Sequence, residues 1–130
     1  MTQRKISAPL PNPETAAYWE ATERAKLLVK HCTICEKLHA YPRAICPFCF
    51  SPETDWKESA GRGTVYSHSH MPNVPVPYTV AYVTLDEGPT ILTNLVTSRP
   101  DEIRIGMPVT VIFEATEGGP PVPMFRPLDE

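Results

Sequence analysis

The chain has 130 residues, 42% of them hydrophobic, and a formal net charge of −3. This length and composition are typical of one globular domain, or of a small domain with a metal-stabilised extension. Because 12 basic residues face 15 acidic ones, no overall positive field attracts nucleic acid or anionic membranes. The N-terminal residues lack the apolar stretch of a secretory signal and no segment is long enough to cross a bilayer. We therefore expect a cytoplasmic protein with reduced cysteines and no membrane partner.

Helix signals mark the first part of the chain. Residues 1–12 are rich in proline and predict an extended arm. Asn12, Pro13 and Glu14 then supply a capping side chain, a proline suited to the first helical position and an acid near the positive end of the helix dipole. The segment 13–28 is predicted to be helical, with the helix itself from residue 13 to about residue 26, and a short strand follows.

Four cysteines in two C-x-x-C motifs indicate a metal site. Ten residues separate the pair Cys32 and Cys35 from the pair Cys46 and Cys49. Four thiolates that converge from two tight turns suit a tetrahedral metal, so residues 29–54 are predicted to form a zinc ribbon. Iron in the same cage, redox disulfides and buried free thiols are the alternatives, and no thioredoxin-like βαβ pattern supports the disulfides. A zinc ion held by four thiolates has no open position, so its role would be structural.

From residue 55 onward the pattern changes to β. Alternating apolar residues predict strands at 55–59, 63–70, 78–85, 90–97 and 108–115. Five strands, with a short helical turn near 99–103 before the last one, predict a small closed barrel of the OB type over 55–130. The prolines of 120–123 predict that the tail is an edge segment lying against the barrel.

Several motifs follow one another in a recognisable order. After the two knuckles come GRGTVY at 61–66, LDEG at 85–88 and IGMPV at 105–109. Over residues 14–127 this order resembles the acyl-CoA-associated zinc-ribbon/OB-fold family, catalogued as domain of unknown function 35. The resemblance implies a mainly β fold: an N-terminal helix, a rubredoxin-like zinc ribbon and a five-stranded OB-fold barrel. It also implies an accessory subunit of thiolase-like, aldolase-like or hydratase enzymes that helps to hold acyl-CoA.

The chain departs from the family pattern after the second and fourth cysteines. The family usually has glycine at these positions, whereas this chain has Glu36 and Phe50. Because glycine relieves strain at positive φ, the departure leaves the ligands in place but calls the geometry of the turns into question.

Three basic residues, Arg43, Lys57 and Arg62, are candidates for binding the phosphates of coenzyme A, and ordinary surface cations are the alternative. His68 and His70 lie two residues apart on one strand. They form either a proton-transfer pair, a second metal site or, as we expect without a carboxylate nearby, an exposed polar face.

The remaining candidates concern contacts. Tyr18 and Trp19 either pack the helix or present an aromatic anchor to a partner. The loop 71–76 is expected to be exposed and to contact a partner or ligand. His31 and His39 are expected to face solvent.

The predicted function is a non-catalytic accessory subunit of an acyl-CoA-metabolising enzyme, with structural Zn²⁺ and acyl-CoA as a candidate ligand. No nucleophile and base stand in a recognisable catalytic pattern, which disfavours a stand-alone hydrolase. The alternative is a module that binds single-stranded nucleic acid, because zinc ribbons and OB barrels often do so.

Overall fold

The computed structural model describes residues 4–130, which contain one helix and eight β-strands in two sheets. The elements are α1 (Ala16–Glu23), β1 (Leu27–Cys32), β2 (Leu38–His39), β3 (Thr54–Ser59), β4 (Arg62–Met71), β5 (Tyr78–Leu85), β6 (Thr90–Leu95), β7 (Pro108–Glu114) and β8 (Val122–Pro127). A 3-10 turn at Pro100–Glu102 precedes β7, as predicted. Strands β2-β1-β3 form the ribbon sheet, and β4-β5-β6-β8-β7 form a closed barrel. The predicted fold class is confirmed. Within residues 4–130 no helix has the length and hydropathy needed to cross a membrane.

The helix α1 is shorter than predicted. Asn12 and Thr15 exchange side-chain-to-backbone hydrogen bonds of 3.0 Å in the turn that precedes it. At the other end Ala25 has a φ of 57°, and the amide of Lys26 donates to the carbonyl of Ala21. This left-handed residue ends the helix, so the chain enters β1 at Leu27.

Strand β3 lies close to where a strand is predicted, but it belongs to the ribbon sheet. It pairs antiparallel with β1 over six residues, from Leu27↔Ser59 to Cys32↔Thr54. The prediction that residues 55–59 form a barrel strand is therefore wrong. A run of alternating residues defines a strand but not its partner, and here the partner is the strand that leads into the first knuckle.

The fifth barrel strand is β8, so the prediction that the proline-rich tail lies outside the ladder is wrong for its residues 122–127. It pairs antiparallel with β7 throughout, and parallel with β6 at Leu95↔Phe125. The carbonyl of Phe125 points to β6 and accepts from the amide of Val96 at 2.7 Å. In a β-strand the backbone N–H and C=O groups of alternate residues point to the same edge of the strand, so the backbone groups of Pro123 and Pro127 point to β6, like those of Phe125. Their missing N–H groups therefore face the short parallel pairing, and the ladder with β7 is intact.

A single core joins the two sheets. Leu27 and Val29 of β1 belong to the same buried cluster as Val83 and Phe125 of the barrel, and Tyr18 of α1 packs against it. Strand β1 is thus the central strand of the ribbon sheet and also contributes to the core of the barrel, so the ribbon packs directly against the barrel.

The predicted N-terminal arm, 1–12, runs along the barrel where the structure describes it, and its first three residues lie outside the described part. Ser7 forms a parallel bridge with Glu117. The Arg4 guanidinium lies 3.9 Å from the centroid of the Tyr78 ring.

Candidate metal centre

The four cysteines converge at one end of the ribbon sheet, which we call the metal end. Cys32 is the last residue of β1, and the other three lie in the turns between β1 and β3. Their Sγ atoms all lie within 4.8 Å of one another, with Cys32–Cys49 at 3.5 Å and Cys35–Cys46 at 3.6 Å. Zinc–thiolate bonds of about 2.3 Å place tetrahedral sulfurs about 3.8 Å apart. The cluster therefore fits a Zn²⁺ ion at its centre.

Both knuckles keep the tight turn despite their missing glycines. Glu36 and Phe50 have φ angles of 64° and 65°, in the left-handed region that glycine normally occupies. Their amides donate to the carbonyls of Cys32 and Cys46, both at 2.9 Å, which closes each turn. The turn geometry is preserved, at a cost of about 1–2 kcal/mol for each left-handed non-glycine residue.

Backbone amides favour the thiolate form of Cys32 and Cys46, whereas at Cys49 the amide hydrogen bond from Ser51 is outweighed by burial and by the neighbouring sulfurs, which raise its pKa to about 11. The amide of Cys35 donates to Cys32 Sγ at 3.4 Å, and that hydrogen bond lowers the pKa of Cys32. Burial by itself would raise the pKa of Cys46, but amide hydrogen bonds from Cys49 and Phe48 outweigh it and lower the pKa to about 6. Several thiolates in one small volume repel one another unless a cation neutralises them, which is what a metal ion supplies.

The three candidate phosphate ligands lie on separate elements. Arg43 is in the loop between the knuckles, Lys57 is in β3 opposite Val29, and Arg62 begins β4. All three are exposed, and none lines either of the two cavities described below. Their role as phosphate ligands stays a prediction.

One cavity of about 300 Å³ lies where α1, the ribbon sheet and the barrel meet. Tyr18, Trp19 and Tyr41 supply its aromatic wall, and the first two rings meet edge to face at 4.8 Å. Burial, followed by the neighbouring Tyr41, raises the pKa of Tyr18 to about 12. The Tyr41 hydroxyl accepts from the amide of Leu92 at 3.1 Å, so it ties the loop between the knuckles to the barrel. Only the folded chain shows this link, because no local pattern pairs residues so far apart.

The second cavity, of about 260 Å³, lies at the end of the barrel that the arm crosses. His70 lines it, with Nδ1 2.8 Å from the Thr79 hydroxyl, whereas His68 is exposed. Within residues 4–130 the cysteines form the one cluster of three or more metal-ligating side chains. The two histidines accordingly do not belong to a second cluster of that size.

The predicted exposure of His39 is wrong, because this residue of β2 is only 7% exposed. Neither ring nitrogen has a hydrogen-bond partner among the described residues. The pKa of His39 is lowered, mainly by burial. The backbone of Arg43 acts to raise this pKa, and the positive charges of Lys30 and Arg43 lower it further. His31 is half-buried, and its Nδ1 lies 3.0 Å from the Asp55 carboxylate.

Most of the loop 71–76 is exposed, as predicted, with Val74 and Val76 half-buried. Larger exposed apolar side chains occur at the metal end of the ribbon, and our reading of the sequence missed them. They are Ile34, Ile45, Phe48 and Phe50. Their position next to the cysteines was the available signal, since residues that hold a small metal site have little room to bury their neighbours.

A four-cysteine ribbon followed by a closed five-stranded barrel defines a zinc-ribbon/OB-fold protein. Two family models match in sequence: the rubredoxin-like zinc ribbon domain of ChsH2 at residues 19–55 and the C-terminal OB-fold domain of ChsH2 at residues 56–114. The chain therefore belongs to the ChsH2-type zinc-ribbon/OB-fold family, domain of unknown function 35.

The relatives in sequence carry two kinds of name, hydratase alpha subunit and DUF35 domain-containing scaffold protein. A probable enoyl-CoA hydratase alpha subunit of Thermomonospora curvata is 38% identical over 97% of this chain, which spans only 42% of that relative. A DUF35 domain-containing scaffold protein of Methanocaldococcus jannaschii is 32% identical over 70% of each chain. Among solved structures, the one titled Ltp2-ChsH2(DUF35) aldolase is 38% identical, covers 92% of this chain and 98% of its own, and has a TM-score of 0.79.

Proposed function

We propose that the chain is a non-catalytic accessory subunit of a cytoplasmic enzyme that acts on acyl-CoA, of the hydratase or the thiolase-like aldolase type. The observation that carries this proposal is the 38% identity and TM-score of 0.79 to a chain of the solved structure titled Ltp2-ChsH2(DUF35) aldolase. The relative named as an enoyl-CoA hydratase alpha subunit supports the acyl-CoA substrate. The relatives named as scaffold proteins support a role without catalysis.

In this proposal the four cysteines, Cys32, Cys35, Cys46 and Cys49, hold a structural Zn²⁺. Four thiolates fill the coordination sphere, so the ion has no position at which to activate water or polarise a substrate. Its contribution is to hold the two knuckles together, and with them the surface of the ribbon.

The finer part of the proposal is a direct contact with the substrate. Arg43, Lys57 and Arg62 are exposed and would meet the phosphates of coenzyme A, for which guanidinium groups have suitable geometry. Arg104 is an exposed arginine outside this set and serves as a matched control.

The test of the subunit role is purification of the tagged chain from its source cells, followed by reconstitution from pure components. Enoyl-CoA hydration and retro-aldol cleavage of a hydroxyacyl-CoA are measured for the chain, for the co-purified protein and for the two together. We expect no turnover by the chain alone and turnover that depends on the pair. Turnover by the chain alone, or a partner enzyme indifferent to it, would contradict the proposal.

The coenzyme A contact has its own test. In the reconstituted complex, combined alanine substitution of Arg43, Lys57 and Arg62 should weaken coenzyme A binding at least tenfold by calorimetry, and Arg104→Ala should not. Equal affinity in all variants would remove the phosphate assignment and leave the subunit role intact.

A further inference from the structure

Four large apolar side chains at the metal end are exposed to water. Ile34, Ile45, Phe48 and Phe50 each stand next to a cysteine of the cluster, and their exposed fractions are 64%, 53%, 52% and 77%. With roughly 200 Å² for a fully exposed side chain of this size, they leave on the order of 500 Å² in water. We call these four residues the ribbon patch. The cysteines that they adjoin converge on one site, so these side chains cluster at one end of the ribbon, and clusters of exposed apolar side chains commonly mark contact sites.

Phe50 is unfavourable twice within this chain. Its φ of 65° strains the backbone, and its ring remains 77% exposed, so it gains little by burial. Glycine would remove the strain, and a polar residue would remove the exposed ring. A strained, solvent-exposed aromatic residue indicates a function outside the folding of its own chain.

The charges around the ribbon patch indicate what kind of molecule it contacts. Glu36, Glu53, Lys37 and Arg43 are exposed neighbours of the knuckles, two acidic and two basic. The Lys37 ammonium lies 5.0 Å from the centroid of the Phe48 ring. Nucleic acids and anionic membranes require an excess of positive charge, which is missing here. An apolar centre with a rim of mixed charge is typical of protein–protein interfaces.

We infer that the ribbon patch is the surface by which this chain docks on its catalytic subunit, with Phe48 and Phe50 as anchors in apolar pockets of that subunit. The inference rests on the proposed function and specifies the face that performs it. One partner contributes about 800 Å² to a standard interface. The exposed area of the ribbon patch corresponds to more than half of that figure.

Phe50→Gly separates docking from folding, because it should weaken binding to the partner without lowering the stability of the chain. Loss of an aromatic anchor should weaken the complex at least tenfold in Kd. Relief of the left-handed strain should leave the Tm of the zinc-loaded free chain equal or higher. Ala25→Gly is the matched control. It makes the same backbone change at the left-handed residue that ends α1, where φ is 57°, keeps the ribbon patch and its charged rim, and should change Kd less than twofold.

A second pair of variants tests the patch without changing backbone freedom. Ile34→Ser removes an apolar side chain from the ribbon patch, whereas Ile105→Ser removes one that is 71% exposed on the barrel domain. We expect a severalfold weaker complex for the first variant and no change for the second. The measurement is calorimetric titration of each zinc-loaded chain with the purified enzyme subunit found by co-purification, and sedimentation of the free chain gives its oligomeric state.

The outcomes are distinct. Tight binding by the wild type and equally tight binding by Phe50→Gly and Ile34→Ser would overturn the docking face and leave the accessory-subunit function standing. If the wild type bound no enzyme subunit, the proposed function would fail, and the inference with it. A wild-type dimer that Phe50→Gly dissociates would identify a second copy of this chain as the occupant and would also overturn the inference.

Discussion

The barrel buries large apolar side chains in its core, whereas the metal end of the ribbon exposes them to water. In the barrel, Val83 and Phe125 are completely buried within one core. At the metal end the fully buried side chains are those of Cys32 and Cys46, while Phe50 faces water. The barrel is thus stabilised by removal of apolar surface from water, whereas the knuckles depend on bonds from sulfur to a metal.

This difference has a functional consequence. A region whose stability comes from metal coordination does not need its apolar side chains for a core, so it can expose them for contact with another molecule. The barrel cannot expose the apolar side chains of its core in the same way, because their burial is what stabilises it.

Removal of zinc should test this comparison with the largest effect. In zinc-finger peptides the metal contributes about 10–16 kcal/mol to folding. A chelator, or Cys46→Ser, should unfold the metal end and also lower the Tm of the barrel, because Leu27 and Val29 share its core. Zinc content and thermal unfolding with and without chelator provide the measurement. A Tm insensitive to the chelator would show that the metal does not hold the ribbon.

Phe125→Ala should have the next largest effect. Removal of a fully buried phenylalanine leaves a cavity and costs about 3–5 kcal/mol of unfolding free energy. Phe48→Ala is the matched change at the metal end, where the side chain is 52% exposed, and it should cost about 0.5 kcal/mol or less. Denaturant unfolding of the zinc-loaded proteins measures both. Equal costs would mean that the two regions bury their aromatic residues alike.

His39 should make the stability of the ribbon depend on pH. Burial holds its folded-state pKa below the unfolded value of about 6.5, so the unfolded state binds more protons as pH falls. Stability should therefore decrease from about pH 6.5 down through the folded-state pKa and level off below it. His39→Leu should flatten this slope between pH 7 and pH 5, and His68→Leu, at an exposed position, should not. An unchanged slope in His39→Leu would assign the pH dependence to other groups.

Glu36→Gly should have the smallest effect, and it should be stabilising. The substitution relieves backbone strain at the left-handed residue, and the greater conformational entropy of glycine in the unfolded state offsets part of this effect. We therefore expect the free energy of unfolding to rise by up to about 1 kcal/mol. The converse change in the barrel domain is Gly106→Ala, at a φ of 88° with no atom within 4 Å of the new Cβ. It should lose about 1 kcal/mol through backbone strain alone. A loss of stability in Glu36→Gly would mean that its side chain supports the knuckle.

Local patterns in the sequence were sufficient for the cysteine knuckles, for most strands and for the 3-10 turn before β7. The spacing of Cys32, Cys35, Cys46 and Cys49 requires only that two tight turns meet, and the Sγ atoms do lie within 4.8 Å of one another. The strands are recognisable because alternation and turn residues act over a few neighbouring positions.

The sequence by itself therefore determined the kind of protein: a four-thiolate ribbon in front of a β-barrel. Only the tertiary structure decided that β3 pairs with β1, that β8 closes the barrel, that His39 is buried and that Phe50 is exposed in a left-handed turn. The physical reason is the same in each case. A strand pattern shows which residues alternate but does not specify the distant partner that covers them, and the partner decides which side chains leave water.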